Sequence, residues 1–325
     1  MSGVALLAGY VADLALGDPR RWHPVAGYGR LALAVEGRLY APSRVRGTVF
    51  VAALVALPAV AAQAAARLAR QGVGMLTRAF AHGLLATLTW AALGGRSLIA
   101  EARGIGARLE EGDLAGARAA LPALAGRDPD QLDTAGVSRA VVESLAENTS
   151  DAVIGALLWG AIAGPAGVVA YRTANTLDAM IGHRDERYLE FGWAAARLDD
   201  MLSWPAARAG AVLTTACAPL VGGSPSGAWR TLRRDGAAHP SPNAGRMEAA
   251  FAGALGVRLG GPLSYRGLAQ RRPRLGDGRS PVTTDIARAA RLSLAVGAGA
   301  ALACASARAG LERALPLRGR SERAR

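Results

Sequence analysis

Six stretches of the sequence are almost free of charged residues, and they constrain the fold more than any other feature. Several approach the roughly twenty residues that an α-helix needs to cross the hydrocarbon core of a membrane. Lipid offers no partner for backbone polar groups, so only helices and closed barrels span it, and no alternating strand pattern is visible. We therefore predict an all-α, polytopic integral membrane protein with four to six membrane segments. The six stretches are Val4–Leu16, Gly47–Ala66, Ala79–Gly95, Ala152–Tyr171, Ala209–Trp229 and Leu292–Ala307.

Composition narrows the chemistry further. The 325 residues are 51% hydrophobic with a formal charge of +13, and every basic residue other than histidine is arginine. A chain without lysine has no Schiff-base lysine, lysine nucleophile or P-loop lysine. The arginines are spread through the polar segments, as in cytoplasmic loops, and no basic run interleaved with aromatic residues indicates nucleic acid. Cys217 and Cys304 lie in apolar stretches, which favours buried thiols over a disulfide or metal site.

The apolar stretches and the polar segments between them predict one membrane-embedded unit over residues 1–325. Gly164 and Pro165 interrupt the fourth apolar stretch, and because these residue types break helices, we predict a bent pair of half-helices there. Such a bend would return the chain to the same membrane face. We further expect one mainly helical polar loop and two motif-bearing loops, which are residues 96–151, 172–208 and 230–291, respectively.

Three carboxylates stand four residues apart beside the fourth apolar stretch, at Glu143, Glu147 and Asp151. In a continuous α-helix this spacing places them on one face, with Asn148 beside them. Carboxylates so close together need cations nearby, and Mg²⁺ bound by one or two carboxylates and substrate phosphates would supply them. An acidic stripe paired with Arg139 is the alternative, and spacing alone does not separate the two.

Residues 172–208 begin with a second polar pattern. Arg172, Asn175 and Asp178 recur every three residues and would share a helical face. Arg184 and Arg187 follow, and their guanidinium groups suit bidentate recognition of phosphate or carboxylate. This spacing predicts an anion-binding surface.

The same segment ends with the adjacent carboxylates Asp199 and Asp200, preceded by Arg197. The pair is a second candidate for metal binding or acid–base chemistry. Trp193 could stack on a large planar ligand, although aromatic residues near a membrane are more often interfacial anchors.

Two histidine–proline pairs stand in turns on either side of these segments. The first lies in GDPRRWHP, residues 17–24, and the second in residues 235–265. A histidine in a turn is more often structural than a ligand, and neither pair has the spacing of a zinc site. No nucleophile elbow surrounds Ser241, which argues against a serine hydrolase. The polar candidates in the two motifs are Asp18, His23, His239, Ser241, Asn243 and Glu248.

Taken together, these motifs resemble the CobD/CbiB family of cobalamin biosynthesis. The resemblance rests on GDPRRWHPV, ESLAENTSD, YRTANTLDAMIGHRDERYLEFGWAAARLDDMLSWPAAR and HPSPNAGRMEAAFAGALGVRLGG, in this order from about Asp13 to Tyr265. Two positions depart from the family pattern. Arg246-Met247 stand where Trp-Pro is usual, and Gly155-Ala156 stand where a proline commonly follows.

The resemblance implies an adenosylcobinamide-phosphate synthase, a multi-pass protein of the bacterial inner membrane with active-site loops in the cytoplasm. Such an enzyme joins adenosylcobyric acid to (R)-1-amino-2-propanol O-phosphate through an amide bond, using ATP as co-substrate and Mg²⁺. Membrane lipid is an expected partner, other enzymes of cobalamin assembly could act beside it, and nucleic acid is not expected.

Site roles follow as hypotheses at the motif positions. The expected catalytic carboxylates are Glu143, Glu147, Asp151, Asp178, Asp199 and Asp200. The expected Mg²⁺ ligands are Glu143, Glu147, Asp199 and Asp200. The expected substrate-binding residues are Asp18, His23, Asn148, Arg172, Asn175, Arg184, Arg187, Tyr188, Trp193, Arg197, His239, Ser241, Asn243 and Glu248.

Two functions of other classes are weighed beside this one. A Mg²⁺-dependent membrane phosphotransferase of the CDP-alcohol type also combines aspartates with arginine, but its DGxxAR…GxxxDxxxD spacing is absent from the sequence. A non-catalytic, AmpE-like membrane sensor would not require separate acidic and arginine-rich segments.

Overall fold

A computed structural model of the chain describes residues 2–19, 23–71, 74–126, 128–265 and 268–321. The chain divides into two compact units. Unit 1 comprises Met1–Gly94, Gly155–Leu202 and Ala300–Arg325, and unit 2 comprises Gly95–Ile154 and Ser203–Gly299.

Helices account for nearly all of the regular structure, and the all-α prediction is confirmed. The α-helices are α1 (Ser2–Leu16), α2 (Pro24–Leu39), α3 (Arg44–Gln71), α4 (Met75–Ala92), α5 (Gly95–Glu110), α6 (Leu114–Ala120), α7 (Thr134–Thr149), α8 (Gly155–Ala163), α9 (Pro165–Ile181), α10 (Trp193–Cys217), α11 (Pro225–Asp235), α12 (Ala244–Leu255) and α13 (Thr283–Ser321). Short 3₁₀ turns occupy Leu121–Ala123 and Ala218–Val221, and a π-helical turn occupies Ser150–Ile154. A two-stranded antiparallel hairpin, β1 (Leu259–Tyr265) and β2 (Leu268–Leu275), lies within the segment that the sequence predicted to be a loop.

Several helices have the length and composition of membrane spans. Within the described ranges, three stretches of helix are long and apolar enough to cross a bilayer, at Arg44–Gln71, Met75–Glu110 and Thr283–Ala314, and Ser2–Leu16 is a shorter apolar helix. Leu57 and Val60 of α3 are 69% and 65% exposed, which suits side chains that face lipid rather than a protein core.

The apolar run Ala209–Trp229 does not form the continuous span that its composition suggested. The chain leaves α10 after Cys217, makes a 3₁₀ turn and enters α11 at Pro225. Gly222 in the connection has a positive φ of 76°, and the hydroxyl of Ser224 caps α11 by accepting a hydrogen bond from the amide of Gly227. A proline at the first helical position and a serine cap are start signals that length and hydropathy do not register.

The bend predicted at Gly164-Pro165 is present in unit 1. Gly164 has a φ of 64°, a conformation that disfavours side chains, and Pro165 begins α9. The two helices α8 and α9 pack against each other, so the fourth apolar stretch forms a helical hairpin. That the flanking polar segments share a membrane face remains a prediction.

The core of unit 1 forms where α3, α9 and the start of α10 meet. Phe50 of α3 is buried against Phe191, with ring centroids 5.1 Å apart, and Leu177 and Ile181 of α9 complete the contact. Gly47 allows this approach, because a Cβ atom at this position would overlap the carbonyl group of Phe191. The packing fixes the segment between α9 and α10, which carries Arg184 and Arg187.

We expect Gly47→Ala to lower the free energy of unfolding by about 1–3 kcal/mol, because overpacking against a fixed backbone carbonyl shifts α3 or residue 191. Gly37→Ala is the matched control: it lies on α2, and a Cβ atom there meets nothing within 4 Å. Thermal unfolding of both variants in detergent checks this. Equal melting temperatures for Gly47→Ala and Gly37→Ala would show that α3 does not pack against the backbone of Phe191.

Unit 2 contains α5, α6, α7, α11, α12, the hairpin and the first part of α13. The helix α7 is almost entirely buried, and it packs against α5, α12 and β1. Two side chains one turn apart on α7 hold the first strand of the hairpin. Glu143 accepts a hydrogen bond from the amide of Gly260 at 2.6 Å, and Arg139 donates to the carbonyl oxygen of Pro262 at 3.0 Å.

Candidate functional site

Polar side chains of α9 and α10 form a hydrogen-bonded row inside unit 1. Arg172 donates to the side-chain oxygen of Asn175 at 3.3 Å, and the Asn175 amide donates to the carboxylate of Asp199 at 3.2 Å. Asp199 is buried, with 8% of its surface exposed. The three-residue spacing of Arg172 and Asn175 on α9 brings both toward α10. The row fixes the orientation of the Asn175 amide and connects a guanidinium to a buried carboxylate.

Asp200 follows directly and is half-buried. Burial raises the pKa of its carboxyl group above the usual range, and this outweighs the opposite effect of Arg197 and Arg184. The two arginines must lie near enough to act on its charge. A carboxylate with a raised pKa and cationic neighbours is suited to accept a proton or to contact a charged substrate. We call Arg172, Asn175, Arg184, Arg197, Asp199 and Asp200 the α9–α10 cluster.

Asp178 lies one turn beyond Asn175, close to the end of α9. Its carbonyl oxygen accepts a hydrogen bond from the amide of Gly182, and its carboxylate lies against Gly182. The predicted face of Arg172, Asn175 and Asp178 therefore exists, with its last member at the helix end.

Glu36 is a residue of this region that sequence reasoning missed. It is 3% exposed on α2 and accepts hydrogen bonds from Arg187 at 2.8 Å and from the Tyr188 hydroxyl at 3.1 Å. The Arg187 guanidinium also lies over the ring of Tyr40, 4.3 Å from its centroid, and the Tyr40 hydroxyl donates to the Arg187 carbonyl oxygen. Arg187 and Tyr188, predicted to bind substrate, are thus tied to α2. The sequence held one signal for Glu36: it is a single carboxylate that follows the apolar residues Leu31, Leu33 and Val35 in one helix.

Trp193 stands at the start of α10 and is 41% exposed. Arg44 lies 5.6 Å from its ring centroid and makes an ion pair with Glu190 at 2.8 Å. The environment of Trp193 fits both of its predicted roles, an anchor at the membrane interface and a surface on which a planar ligand stacks.

In unit 2, four predicted residues meet at the start of α12. His239 accepts a hydrogen bond from the Ser241 amide at 3.0 Å, and the Ser241 hydroxyl oxygen accepts from the amides of Asn243 and Ala244. Glu248 lies one turn into α12, 1% exposed, with Nε2 of His239 at 3.8 Å. The loop 239–243 therefore positions an imidazole beside a buried carboxylate. We call His239, Ser241, Asn243 and Glu248 the α12 cluster.

Arginines surround the α12 cluster. Arg272 of β2 lies 3.9 Å from the Glu248 carboxylate, and Arg208 donates to the side chain of Asn243 at 3.2 Å. Arg208 also lies over the ring of Trp204, 4.0 Å from its centroid. Burial, together with the neighbouring Arg246, lowers the pKa of Arg208. The neighbouring guanidinium groups of Arg208 and Arg246 are partly withdrawn from water, and such a pair favours an anionic ligand.

The three carboxylates predicted to share a face do not all lie on α7. The α-helix ends at Thr149, and Asp151 lies in the π-helical turn Ser150–Ile154, which has a wider turn than the continuous α-helix that the spacing assumed. That the three act together remains a prediction. Glu143 points to the hairpin, where it holds the amide of Gly260. Glu147 is half-buried on α7.

Asn148 has a local structural role on the same helix. Its side-chain amide donates to the carbonyl and hydroxyl oxygens of Ser144, at 3.0 and 3.1 Å. The Ser144 hydroxyl in turn donates to the carbonyl oxygen of Leu124. Such bonding stabilises the end of α7, and it leaves the Asn148 side-chain oxygen available to other groups.

The N-terminal motif is described only in part. His23 lies 3.8 Å from Asp18, and both are half-buried. Arg20, Arg21 and Trp22 lie outside the described residues.

The side chains of His, Cys, Asp and Glu in the described ranges form no group of three or more that could hold a metal ion. Cys217 and Cys304 are free thiols. Each cluster thus offers one or two carboxylates beside amides and arginines, an arrangement that can bind phosphorylated ligands and move a proton.

Comparison with known proteins places these residues in a family. The family model for the CobD/Cbib protein matches residues 6–293. The cobalamin biosynthesis protein CobD of Mycobacterium tuberculosis is 53% identical over 299 residues, which cover 92% of this chain and 93% of that protein. The proteins of the same name from Chromobacterium violaceum and Rhodobacter capsulatus are 44% and 41% identical over 90% and 85% of this chain, and over 92% and 88% of their own lengths. No solved structure is significantly similar.

Proposed function

The chain belongs to the CobD/CbiB family of cobalamin biosynthesis, and from this we propose that it is an adenosylcobinamide-phosphate synthase, a ligase that forms a carbon–nitrogen bond. Its substrates are adenosylcobyric acid, (R)-1-amino-2-propanol O-phosphate and ATP. The observation that carries the proposal is the α9–α10 cluster, in which a half-buried carboxylate with a raised pKa stands beside two arginines and a hydrogen-bonded Asn–Asp pair. That set suits phosphate binding and proton removal together.

The reaction divides into two balanced steps. A carboxylate oxygen of the corrinoid attacks the γ-phosphorus of ATP, which forms an acyl phosphate and releases ADP. The amine nitrogen of aminopropanol phosphate then attacks the acyl carbon, and the carbon–oxygen bond to phosphate breaks, which leaves an amide and inorganic phosphate. Because the amine is protonated near neutral pH, a base must take one proton before attack and another as the amide forms.

The residues of unit 1 can be given roles in this scheme. Asp200 is the proposed base, because its raised pKa makes it a stronger proton acceptor than an ordinary aspartate. Arg184 and Arg197 hold the phosphate of the amine substrate beside it. Asn175 and Arg172 keep Asp199 in place. Holding charged groups at fixed positions supplies most of the catalysis in phosphoryl transfer.

In unit 2, the α12 cluster is proposed to orient the corrinoid. Asn243, His239 and Ser241 offer donors and acceptors that match amide side chains of a corrin ring. Glu248, nearly fully buried, lies 3.8 Å from Nε2 of His239 and would stabilise a positive charge on its imidazole. Glu143, in contrast, serves the hairpin and is not a proposed ligand.

Mg²⁺ fits the α9–α10 cluster as the companion of the substrate phosphate that Arg184 and Arg197 are proposed to hold. The ion is commonly held by one or two carboxylates while phosphates and water complete its shell, so a group of three protein ligands is not required. Asp199 is the residue proposed to hold it, since its carboxylate is buried at the centre of the cluster and is oriented by the hydrogen bond from the Asn175 amide. Bound there, the ion would neutralise phosphate charge.

We place the protein in the bacterial inner membrane as a multi-pass protein with its polar segments in the cytoplasm. The three long apolar helices support a membrane location. Membrane lipid and, beside it, other enzymes of cobalamin assembly are the proposed partners.

The proposal is tested with the purified protein in nanodiscs, given adenosylcobyric acid, aminopropanol phosphate and MgATP. We expect one ADP and one inorganic phosphate for each amide, and no product when any substrate is omitted. A phosphotransferase would instead consume the phosphorylated substrate without forming an amide, and a sensor would leave all three unchanged. Either result would overturn the proposal.

A further inference from the structure

A cavity of about 530 Å³ opens within unit 2, and none of the predicted catalytic, metal-binding or substrate-binding residues lines it. Its walls come from the start of α7, the hairpin and the segments before α13 and after α12. Its charged lining residues are Asp128, Asp133, Arg139, Arg258 and Arg274. We call it the basic cavity.

The three arginines reach the basic cavity from three different parts of the chain. Arg139 belongs to α7, Arg258 follows α12, and Arg274 belongs to β2. Side chains from one helix face can share a direction through periodicity alone, but three separate elements share it only through tertiary structure. The convergence is therefore a property of the fold of unit 2.

Little within the described residues neutralises these guanidiniums. The side chains of Arg258 and Arg274 make no hydrogen bond or ion pair with any described residue, and the buried Nε of Arg139 has no hydrogen-bond partner among them. The backbone of Arg258 is nevertheless fixed, since its amide donates to the carbonyl oxygen of Arg279 at 2.8 Å. The backbone of Arg258 is thus held in place, and Arg139 is held by its bond to Pro262, while the Arg139 Nε and the guanidinium groups of Arg258 and Arg274 remain available as donors.

The acidic lining residues do not cancel this charge. The Asp133 carboxylate caps α7, where it accepts a hydrogen bond from the Gly136 amide at 2.7 Å. Asp128 is the other carboxylate of the lining, so three guanidiniums face two carboxylates. The N-terminus of α7 adds partial positive charge from its backbone amides.

The size of the cavity indicates what kind of anion it would hold. Pockets for nucleotides and drug-sized ligands span about 300–1,000 Å³, well above the space that one phosphate needs. Leu132 and Pro281 add apolar surface to the lining, which a purine base could use. Another large polar cavity of unit 2, about 440 Å³ and glycine-lined, is less suitable because its Arg234 is already paired with Asp235 and Asp277.

We propose that the basic cavity binds the triphosphate of the nucleotide co-substrate. Arg258 and Arg274 contact the phosphates, and Arg139 adds a third cationic contact from α7. The proposal rests on the proposed use of ATP, and it gives this lysine-free chain a phosphate site built from arginine alone. Planar guanidinium groups suit bidentate binding of phosphate oxygens.

The test uses ATPγS binding by equilibrium dialysis, together with the KM for each substrate. We expect Arg258→Gln and Arg274→Gln each to weaken ATPγS binding about tenfold or more, the loss typical of one charge-assisted contact. KM for ATP rises in parallel, while KM for aminopropanol phosphate stays constant. Inorganic triphosphate should compete with ATPγS for the wild-type protein and less well for the variants.

Arg233→Gln is the matched control, because Arg233 is an exposed arginine of unit 2 that does not line the cavity. Arg258→Lys, which keeps the charge, should recover part of the affinity. Wild-type ATPγS affinity in both glutamine variants would overturn the site while leaving the proposed ligase intact. A wild-type protein that binds ATPγS through these arginines but forms no amide would instead overturn the proposed function and keep the site.

Discussion

Replacing Asp200 with asparagine should lower the rate of amide formation about 10²- to 10⁴-fold, the usual contribution of a general base. Asparagine keeps the size of the side chain but cannot take a proton from the ammonium group. Substrate affinity should change little, since Arg184 and Arg197 remain. We therefore expect kcat to fall while KM stays nearly constant. The measurement uses the purified protein in nanodiscs at saturating substrate concentrations.

The pH dependence of kcat gives this prediction a specific signature. Asp200 acts as a base only when it is ionised, and burial raises the pKa of its carboxyl group. The rate should therefore fall as the pH is lowered through that pKa, at a higher pH than an ordinary aspartate with a pKa of about 3.9 would give. In Asp200→Asn this limb of the profile should disappear.

Glu186→Gln is the control for the Asp200 variant, because it removes one negative charge from an exposed position in the same unit. Its turnover and pH profile should match those of the wild type. If Asp200→Asn kept both the rate and the acid limb of the wild type, another carboxylate would be the base. Asp199 would then be the next candidate, because it is the nearest in sequence and is buried.

The sequence predicted the parts of the fold that depend on composition and on local chain breaks. Hydropathy identified the apolar helices, and the Gly164-Pro165 pair identified the helical hairpin, because both signals lie within a few residues of the structure that they specify. The grouping of His239, Ser241, Asn243 and Glu248 followed from their closeness along the chain.

What the sequence did not predict depends on contacts between distant residues. The hairpin of β1 and β2 lies in an arginine- and glycine-rich segment without alternation, and it is held partly by Glu143 and Arg139 of α7. The same two bonds explain why Glu143 serves the hairpin rather than the predicted acidic face. The partnership of Glu36 with Arg187 spans about 150 residues, which no local pattern can report.

The division into two units also escaped prediction, because unit 1 is assembled from three separate parts of the chain and unit 2 from two. Uncharged runs record how apolar a helix is, but they do not record which helices pack together. The π-helical turn at Ser150–Ile154 was missed for a similar reason. Residues four apart in the sequence look the same whether the helix between them is an α-helix or a π-helix.

The second large effect concerns stability, and it should follow from Asp285→Ala. Asp285 is fully buried near the start of α13 and accepts hydrogen bonds from Arg279 at 2.6 and 3.0 Å and from Arg288 at 2.7 Å. It also accepts one from the Val282 amide at 2.9 Å, as a residue at the third position of a helix does in a capping box. Arg288 further donates to the carbonyl oxygens of Val221 and Leu255.

Alanine at position 285 would leave two guanidiniums without their carboxylate, one of them largely buried. Removing one partner of a buried ion pair costs about 3–5 kcal/mol, because the remaining charge is desolvated and uncompensated. Since Arg288 connects α13 to the ends of α12 and of the 3₁₀ turn at Val221, the loss should open that part of unit 2. Hydrogen exchange of the amides in α11 and α12 should then accelerate more than exchange in α9.

Asp277→Asn provides the matched comparison, because Asp277 is also paired with an arginine but its side chain is 80% exposed. A solvated pair contributes little to stability, so its thermal unfolding should stay close to that of the wild type. The variant Asp285→Asn separates charge from hydrogen bonding: it can still accept from Val282 but cannot neutralise Arg279 and Arg288. A loss in Asp285→Asn close to that of Asp285→Ala would assign the larger share to charge, whereas wild-type stability in Asp285→Ala would contradict a structural role for this carboxylate.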